Sequence, residues 1–345
     1  MRDAGDFWSG RNVLVTGCTG LLGSWLTETL VDRQAAVVGL VRDWVPHSHL
    51  IRSGVIDRIR VVRGEVQDYD LMHRVLNEYE VDTVFHLAAL TIVTIANRAP
   101  LATYDTNIRG SWTVFEAARN SPLVSRVVFA SSDKAYGTQQ RLPYTEEMPL
   151  LGQHPYDVSK ACGELLAANY HNSYRLPVAV TRCANLYGGG DLNFSRLVPE
   201  VVRCALLGRR PVIRSDGSMR RDYLYVRDAA NGYLMLAEHM DDTALHGQAF
   251  NFGIDDPLTV LAMTRLILSL AGHPELEPIV ESRALQEIYD QYLCSEKAHR
   301  VLGWYPQYSL DEGLTETLAW YRAYLEEQGT LPGVAPDDPS PTPAP

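Results

Sequence analysis

Two short strings in this chain carry side chains suited to moving protons: Ser131-Ser132-Asp133-Lys134 and Tyr156-Asp157-Val158-Ser159-Lys160. Of the 31 basic residues only three are lysine, and two of those three are Lys134 and Lys160; the other 28 are arginine. A guanidinium stays charged, whereas an ammonium is compact and can release its proton where its surroundings require it. Lysine at these places therefore points to chemistry. Tyr156 and Lys160 stand one helical turn apart and share a face. A hydride cannot leave an alcohol carbon unless the hydroxyl proton is removed as it goes, and a tyrosine beside a hydride acceptor can take that proton. The ordinary phenol pKa of about 10 is too high for this work, so Lys160 is expected to favour the phenolate. Ser132 is placed to hydrogen-bond the same hydroxyl. Asp133 and Lys134 add a general acid and a general base for the two sides of one substrate, which an elimination needs and a plain oxidation does not.

The elements that position these strings are legible as alternating strands and helices. Residues 12–16 are an apolar run ending in Gly17-Cys18-Thr19-Gly20-Leu21-Leu22-Gly23, followed by a helix-period segment over 21–31 and a second apolar run over 35–41. That is a β-α-β unit. Further strands are expected at 59–62, 83–87, 126–130, 178–182 and 250–252, and helices at 69–78, 100–118, 157–174, 197–207, 258–271 and 311–326. Alternation of this kind predicts an α/β fold of the Rossmann type, a doubly wound parallel sheet, with a smaller C-terminal substrate-binding lobe over the carboxyl edge of the strands. Residues 1–187, with 230–254 returning, are expected to form the NAD(P)-binding domain; 188–229 and 255–330 the lobe. The last 15 residues hold six prolines and no apolar periodicity, and a disordered tail is expected over 331–345.

The glycine turn has the composition of a pyrophosphate cradle. Gly17, Gly20 and Gly23 permit a tight turn and close backbone approach, and the amides of Thr19, Leu21 and Leu22 open a helix N-terminus. The spacing is Gly-x-x-Gly-x-x-Gly. At the end of the second strand, Arg42 can pair with a 2'-phosphate and Asp43 can accept from a 2'-hydroxyl; the two signals conflict, so NAD and NADP both stay open. Glu65 and Val66 are placed to meet the adenine, and Leu87, Ala88 and Ala89 to line ribose and pyrophosphate. Asn107 is a further candidate for the cofactor site. His86 reads as a packed strand residue.

A net charge of -11 opposes binding to nucleic acid, although a local basic pocket can still hold one diphosphate. No apolar run reaches the roughly 20 residues of a membrane span, and the N-terminus lacks a signal peptide's features, so a cytoplasmic location without membrane attachment is expected. Five scattered cysteines suit reduced thiols, and His47 and His49 read as solvated; no metal site is expected.

The Gly-x-x-Gly-x-x-Gly turn together with Tyr156-x-x-x-Lys160 resembles the short-chain dehydrogenase/reductase superfamily. The chain is most similar to its extended members that act on nucleotide sugars, and among them to CDP-glucose 4,6-dehydratases, over residues 10–325. The resembling segments include Gly20 to Leu26, Ser132-Asp133-Lys134, Tyr156 to Lys160, Gly188-Gly189-Gly190-Asp191 and Leu302-Gly303-Trp304. The resemblance implies conversion of an NDP-hexose, CDP-glucose in the first place, to an NDP-4-keto-6-deoxyhexose. NAD(P) would be bound tightly and regenerated in each turnover. It implies that Asp133 is the acid for C6 and Lys134 the base for C5, with Lys134 unprotonated as it acts. It further implies that Arg221, in Arg220-Arg221-Asp222-Tyr223, holds the nucleotide diphosphate or ribose. Asn185 and Arg196 are candidates for the same substrate. Related 4-epimerases lack the acid/base pair, and an epimerase is the nearest alternative; a non-catalytic dinucleotide-binding scaffold is a more distant one. Two features depart from the pattern. Leu90 stands where many relatives have glutamine, and Val41-Arg42-Asp43 looks nearer to GDP-mannose 4,6-dehydratases. Helix 157–174 carries Ala161, Leu165, Leu166, Ala168 and Tyr170 on one stripe, and related enzymes pair such helices, so a homodimer is expected.

Overall fold

The computed structural model describes residues 7–282 and 288–331. Seven strands form the central sheet: β1 (Asn12–Thr16), β2 (Ala36–Val41), β3 (Arg60–Arg63), β4 (Thr83–His86), β5 (Arg126–Ala130), β6 (Val178–Cys183) and β11 (Ala249–Phe252). Their order is β11-β6-β5-β4-β1-β2-β3. Every pairing is parallel. Parallel strands need long crossovers, and the helices that supply them cover both faces of the sheet. This is why β4, β5 and β6 are buried along their whole length while β3, at the edge, is largely exposed and carries arginine at both ends. The chain order reverses between β1 and β4, and the crevice beyond the carboxyl ends of those strands is where such sheets bind ligands.

Six short strands lie outside the sheet: β7 (Asn185–Tyr187), β8 (Val212–Ile213), β9 (Arg220–Arg221), β10 (Tyr223–Tyr225), β12 (Leu258–Thr259) and β13 (Ile279–Val280). They pair as β10 with β7, β12 with β9 and β13 with β8. With the helices Leu197–Leu206, Val260–Leu270 and Leu310–Glu327 they enclose a separate apolar cluster that includes Val198, Val202, Met263, Ile267, Leu314 and Tyr321. The expected sheet with an additional smaller lobe is therefore present.

Three local expectations are corrected. Residues 100–118 are not one regular helix: a π turn, Asp105–Arg109, separates Pro100–Tyr104 from Gly110–Arg119. Val226–His239 forms a helix that was not foreseen, although its unburied residues Arg227, Asn231, Met235 and Glu238 recur at helical spacing and nine of its 14 residues are buried. His49 is not solvated. It stacks on Trp25, bonds Glu28 at 2.9 Å through Nε2, and accepts from Trp320 Nε1 at 3.1 Å, whereas His47 is exposed. The stripe on helix Pro155–Tyr174 divides: Leu166 and Tyr170 pack inward and Leu165 faces out. Of the expected tail, 332–345 lies outside the described residues.

Candidate active site

One cavity of about 780 Å³ runs along the carboxyl edge of the sheet, from the turn after β1 to the lobe. Its first part is backbone-lined. Gly17 has φ +75°, and a Cβ there would lie 2.8 Å from Ala88 N. At Gly23 a Cβ would sit 2.1 Å from Gly17 O, so the first helix can approach the turn only without a side chain. Gly17, Thr19, Gly20, Leu21, Leu22 and Gly23 all line the cavity, as do Arg42, Asp43 and Val66. A helix N-terminus with no side-chain cap, opening on glycines, is the cradle a dinucleotide pyrophosphate fits. Substituting Gly23 by Ala is expected to force this turn open and abolish dinucleotide binding; calorimetric titration with NAD+ and NADP+ checks it, and wild-type affinity would refute the fit.

The second part is held by a buried relay. Thr16 Oγ1 contacts His86 Nδ1 at 2.9 Å, and His86 Nε2 contacts Ser111 Oγ at 3.1 Å. Ser111 donates to Asn107 O at 2.6 Å, so its oxygen accepts from Nε2-H, and Thr16 then donates to Nδ1. Burial, with Lys160 nearby, pushes His86 down to about 3, so the ring is neutral. Thr16 Oγ1 also accepts from Leu87 N and Ala88 N, which fixes the cavity wall after β4. Asn107, turned inward by the π turn, accepts from Leu90 N at 2.7 Å and donates to Ser159 Oγ at 2.9 Å. It does not line the cavity itself. Glu65, expected at the adenine, is exposed and outside the lining, where Val66 and Gln67 take part instead.

Between the two ends lies the reactive set. Ser132, Asp133 and Lys134 follow β5, the last two in a 3-10 turn (Asp133–Tyr136); Tyr156 and Lys160 come from helix Pro155–Tyr174. All five line the cavity. A buried ion pair anchors both ends of the turn: Glu164 accepts from Arg182 Nη2 at 2.6 Å and from Ser131 Oγ, while Arg182 Nη1 donates to Tyr136 Oη at 2.6 Å. Neither residue was singled out from sequence, since each reads alone as an ordinary charge.

Asp133 is buried. Its Oδ1 accepts from Ser132 Oγ at 3.0 Å, and its Oδ2 has no partner among the described residues. Burial raises its carboxyl above the usual range, against the opposing influence of Lys134, Ser132 and Arg221. The shift is in the direction that an acid requires. Tyr156 is also buried and its phenol is pushed up by that burial, with a Ser132 hydrogen bond acting the other way. Lys160 Nζ lies 5.9 Å from the Tyr156 ring centre and donates to Ala130 O at 2.7 Å.

Burial moves Lys160 itself from an ordinary 10.5 down to about 8, with Glu164 opposing. Below about pH 8 the amine is charged in both folded and unfolded chains, and the folded chain bears the burial cost. Between about 8 and 10.5 the unfolded chain holds the proton that the folded chain has shed, so this group's contribution to stability rises with pH. Lys160→Met removes that dependence. Urea unfolding is expected to show its stability relative to wild type falling by a few kcal/mol across that window; a pH-independent difference would contradict it.

The lobe end is lined by Asn185, Arg196 and Arg221. Asn185 Nδ2 is buried without a partner among the described residues, a donor available to a ligand. Arg196 donates to Asp191 Oδ2 at 2.6 Å and to Leu186 O at 2.7 Å. Arg221, buried, donates to Tyr289 O at 2.6 Å and Ile288 O at 2.7 Å. At the other end Arg42 Nε donates to Asp43 Oδ2 at 2.6 Å, so the two residues that pull toward different cofactors are paired with each other.

The sequence pattern of the GDP-mannose 4,6 dehydratase family matches residues 14–317. The chain belongs to that family. Within it, the chain is 30% identical over 317 residues to CDP-glucose 4,6-dehydratase of Salmonella typhimurium, covering 87% of this chain and 88% of the relative. It is also 30% identical over 299 residues to UDP-glucose 4-epimerase of Mycolicibacterium smegmatis, covering 85% and 93%. Among solved structures, dTDP-glucose 4,6-dehydratase from Bacillus anthracis in complex with NAD superimposes with a TM-score of 0.82 at 27% identity, over 92% of this chain and 98% of that one. The chain is thus an enzyme of the nucleotide-sugar dehydratase and epimerase superfamily. Among its described residues no helix is long and apolar enough to cross a membrane.

Proposed function

We propose that the protein is a nucleotide-sugar 4,6-dehydratase that uses NAD(P), with CDP-glucose as the leading substrate. The observation that carries this reading is Asp133: a buried carboxyl raised above its usual range by that burial, with one oxygen unpartnered among the described residues, beside Lys134 in the cavity that also holds Tyr156. An epimerase has no use for an acid and a base there.

When bound, the cofactor would take the C4 hydride as NAD(P)+ and return it to C6 as NAD(P)H. The glycine turn would hold its pyrophosphate, and Val66 with the wall at Leu87 and Ala88 would line its site. Tyr156 takes the O4 proton, and Ser132 orients O4 by a hydrogen bond. The 4-ketone acidifies the C5 hydrogen. Lys134 takes that proton, the C6–O6 bond breaks, and Asp133 protonates O6 so that water leaves. After C6 is reduced, Lys134 returns the proton to C5. Asn185, Arg196 and Arg221 hold the nucleotide diphosphate, guanidinium forks being suited to phosphate oxygens. The sum is NDP-hexose going to NDP-4-keto-6-deoxyhexose and water, with no net redox change.

Incubation with CDP-glucose, GDP-mannose, TDP-glucose and UDP-glucose in separate tubes, followed by mass spectrometry and proton NMR, tests this. Loss of one water with a new C6 methyl doublet is expected, first with CDP-glucose. An unchanged mass with inverted C4 would move the assignment to an epimerase.

A further inference from the structure

Lys134 and Gln291 are 157 residues apart, yet the Lys134 amine donates to Gln291 Oε1 at 3.3 Å. Gln291 is completely buried, and its Nε2 has no partner among the described residues. Its backbone is fixed from the lobe side: Gln291 N donates to Arg220 O at 3.1 Å, and Asp222 N donates to Gln291 O at 3.3 Å, so this segment forms a bridge with β9. On the other side Tyr144 N donates to Tyr292 O at 2.9 Å. The amide therefore reaches the catalytic turn from a backbone that the lobe holds in register.

The geometry points to Gln291 as the positioning residue of Lys134, its side-chain carbonyl holding the amine at the substrate's C5. This rests on the reading of Lys134 as the C5 base. The chemistry of the partner suits that role. A carboxylate at this distance would favour the charged form of the amine and oppose its action as a base, whereas an amide oxygen orients an N-H without adding a charge. The charged groups that face Lys134 are Asp133 on its own turn and Asp157 on helix Pro155–Tyr174, with Arg221 of β9 acting on Asp133. Both carboxyls are raised by burial, so the amine's surroundings are less anionic than the sequence suggests.

The test compares wild type, Lys134→Ala, Gln291→Leu and the near-isosteric Gln291→Glu on CDP-glucose and on its C5-deuterated form. Gln291→Leu is expected to lower kcat roughly ten- to a hundredfold, the cost of a misplaced reacting group, with KM little changed and a larger C5 isotope effect. Gln291→Glu, which keeps the shape, is expected to move the acid limb of the kcat profile up by about one to two pH units, because a new anion holds the amine's proton. If both Gln291 variants keep the wild-type isotope effect and pH limb while Lys134→Ala abolishes elimination, the positioning role is refuted and the base assignment stands. If Lys134→Ala itself eliminates water at the wild-type rate, the base assignment falls and takes this inference with it.

Discussion

Tyr156→Phe is expected to lower kcat about a thousandfold while leaving the fold intact. General acid-base groups contribute roughly 10²- to 10⁴-fold, and Tyr156 shares the cavity with Ser132. The change removes one oxygen from a buried ring whose proton burial holds tightly. Stability should therefore change little or rise, since the phenol's only resolved side-chain partner is Ser132. KM for the nucleotide sugar should stay near the wild-type value, because the residues proposed to hold the diphosphate, Asn185, Arg196 and Arg221, are untouched. Formation of the 4-keto product, followed by NMR, reads the effect. A variant within about fivefold of wild type would remove Tyr156 from the O4 step.

Asp133→Asn should separate two halves of the same reaction. The variant keeps the side-chain shape and the Ser132 contact but can no longer protonate a departing O6. Product carrying a C6 methyl group is expected to fall by about a hundredfold or more. Exchange of the C5 hydrogen with deuterated solvent should persist, because Tyr156 and Lys134 are untouched. Proton NMR in deuterium oxide reads both quantities from one sample. Methyl formation at the wild-type rate would sink the acid assignment. Loss of C5 exchange as well would mean that removal of the proton and departure of water are one concerted step. The same substitution is not expected to destabilise the chain. Asp133 Oδ2 is buried without a partner, and functional sites commonly hold groups that the fold alone would reject.

Residues close together in sequence explain what the chain discloses without its structure. Apolar runs of five or six residues mark β1, β2, β5 and β6 because a strand covered on both faces must be apolar throughout. The turn Gly17 to Gly23 and the pair Tyr156 and Lys160 lie within single local motifs, so their spacing alone sets their geometry. Ser132, Asp133 and Lys134 stand at the carboxyl end of a buried strand, which is where this fold presents side chains to a ligand. Parallel pairing followed from the alternation of elements, whereas the strand order is a finding of the structure. The family resemblance added roles for residues that periodicity could only place.

Tertiary structure decided the remainder because it depends on contacts between distant segments. Asn107 was read as a cofactor contact, and a π turn directs it to Leu90 and Ser159. Glu65 follows a strand end like other cofactor residues, yet the edge position of β3 leaves it facing solvent while Val66 turns inward. His49 becomes buried only because Trp25 and Trp320, from two different helices, close over it. Lys160 shares a face with Tyr156, as its spacing requires, but Ala130 O, 30 residues away, claims its amine. Local spacing determined which residues could react. The packing of remote segments determined which of them face the cavity, what charge they carry there, and that Gln291 stands against Lys134.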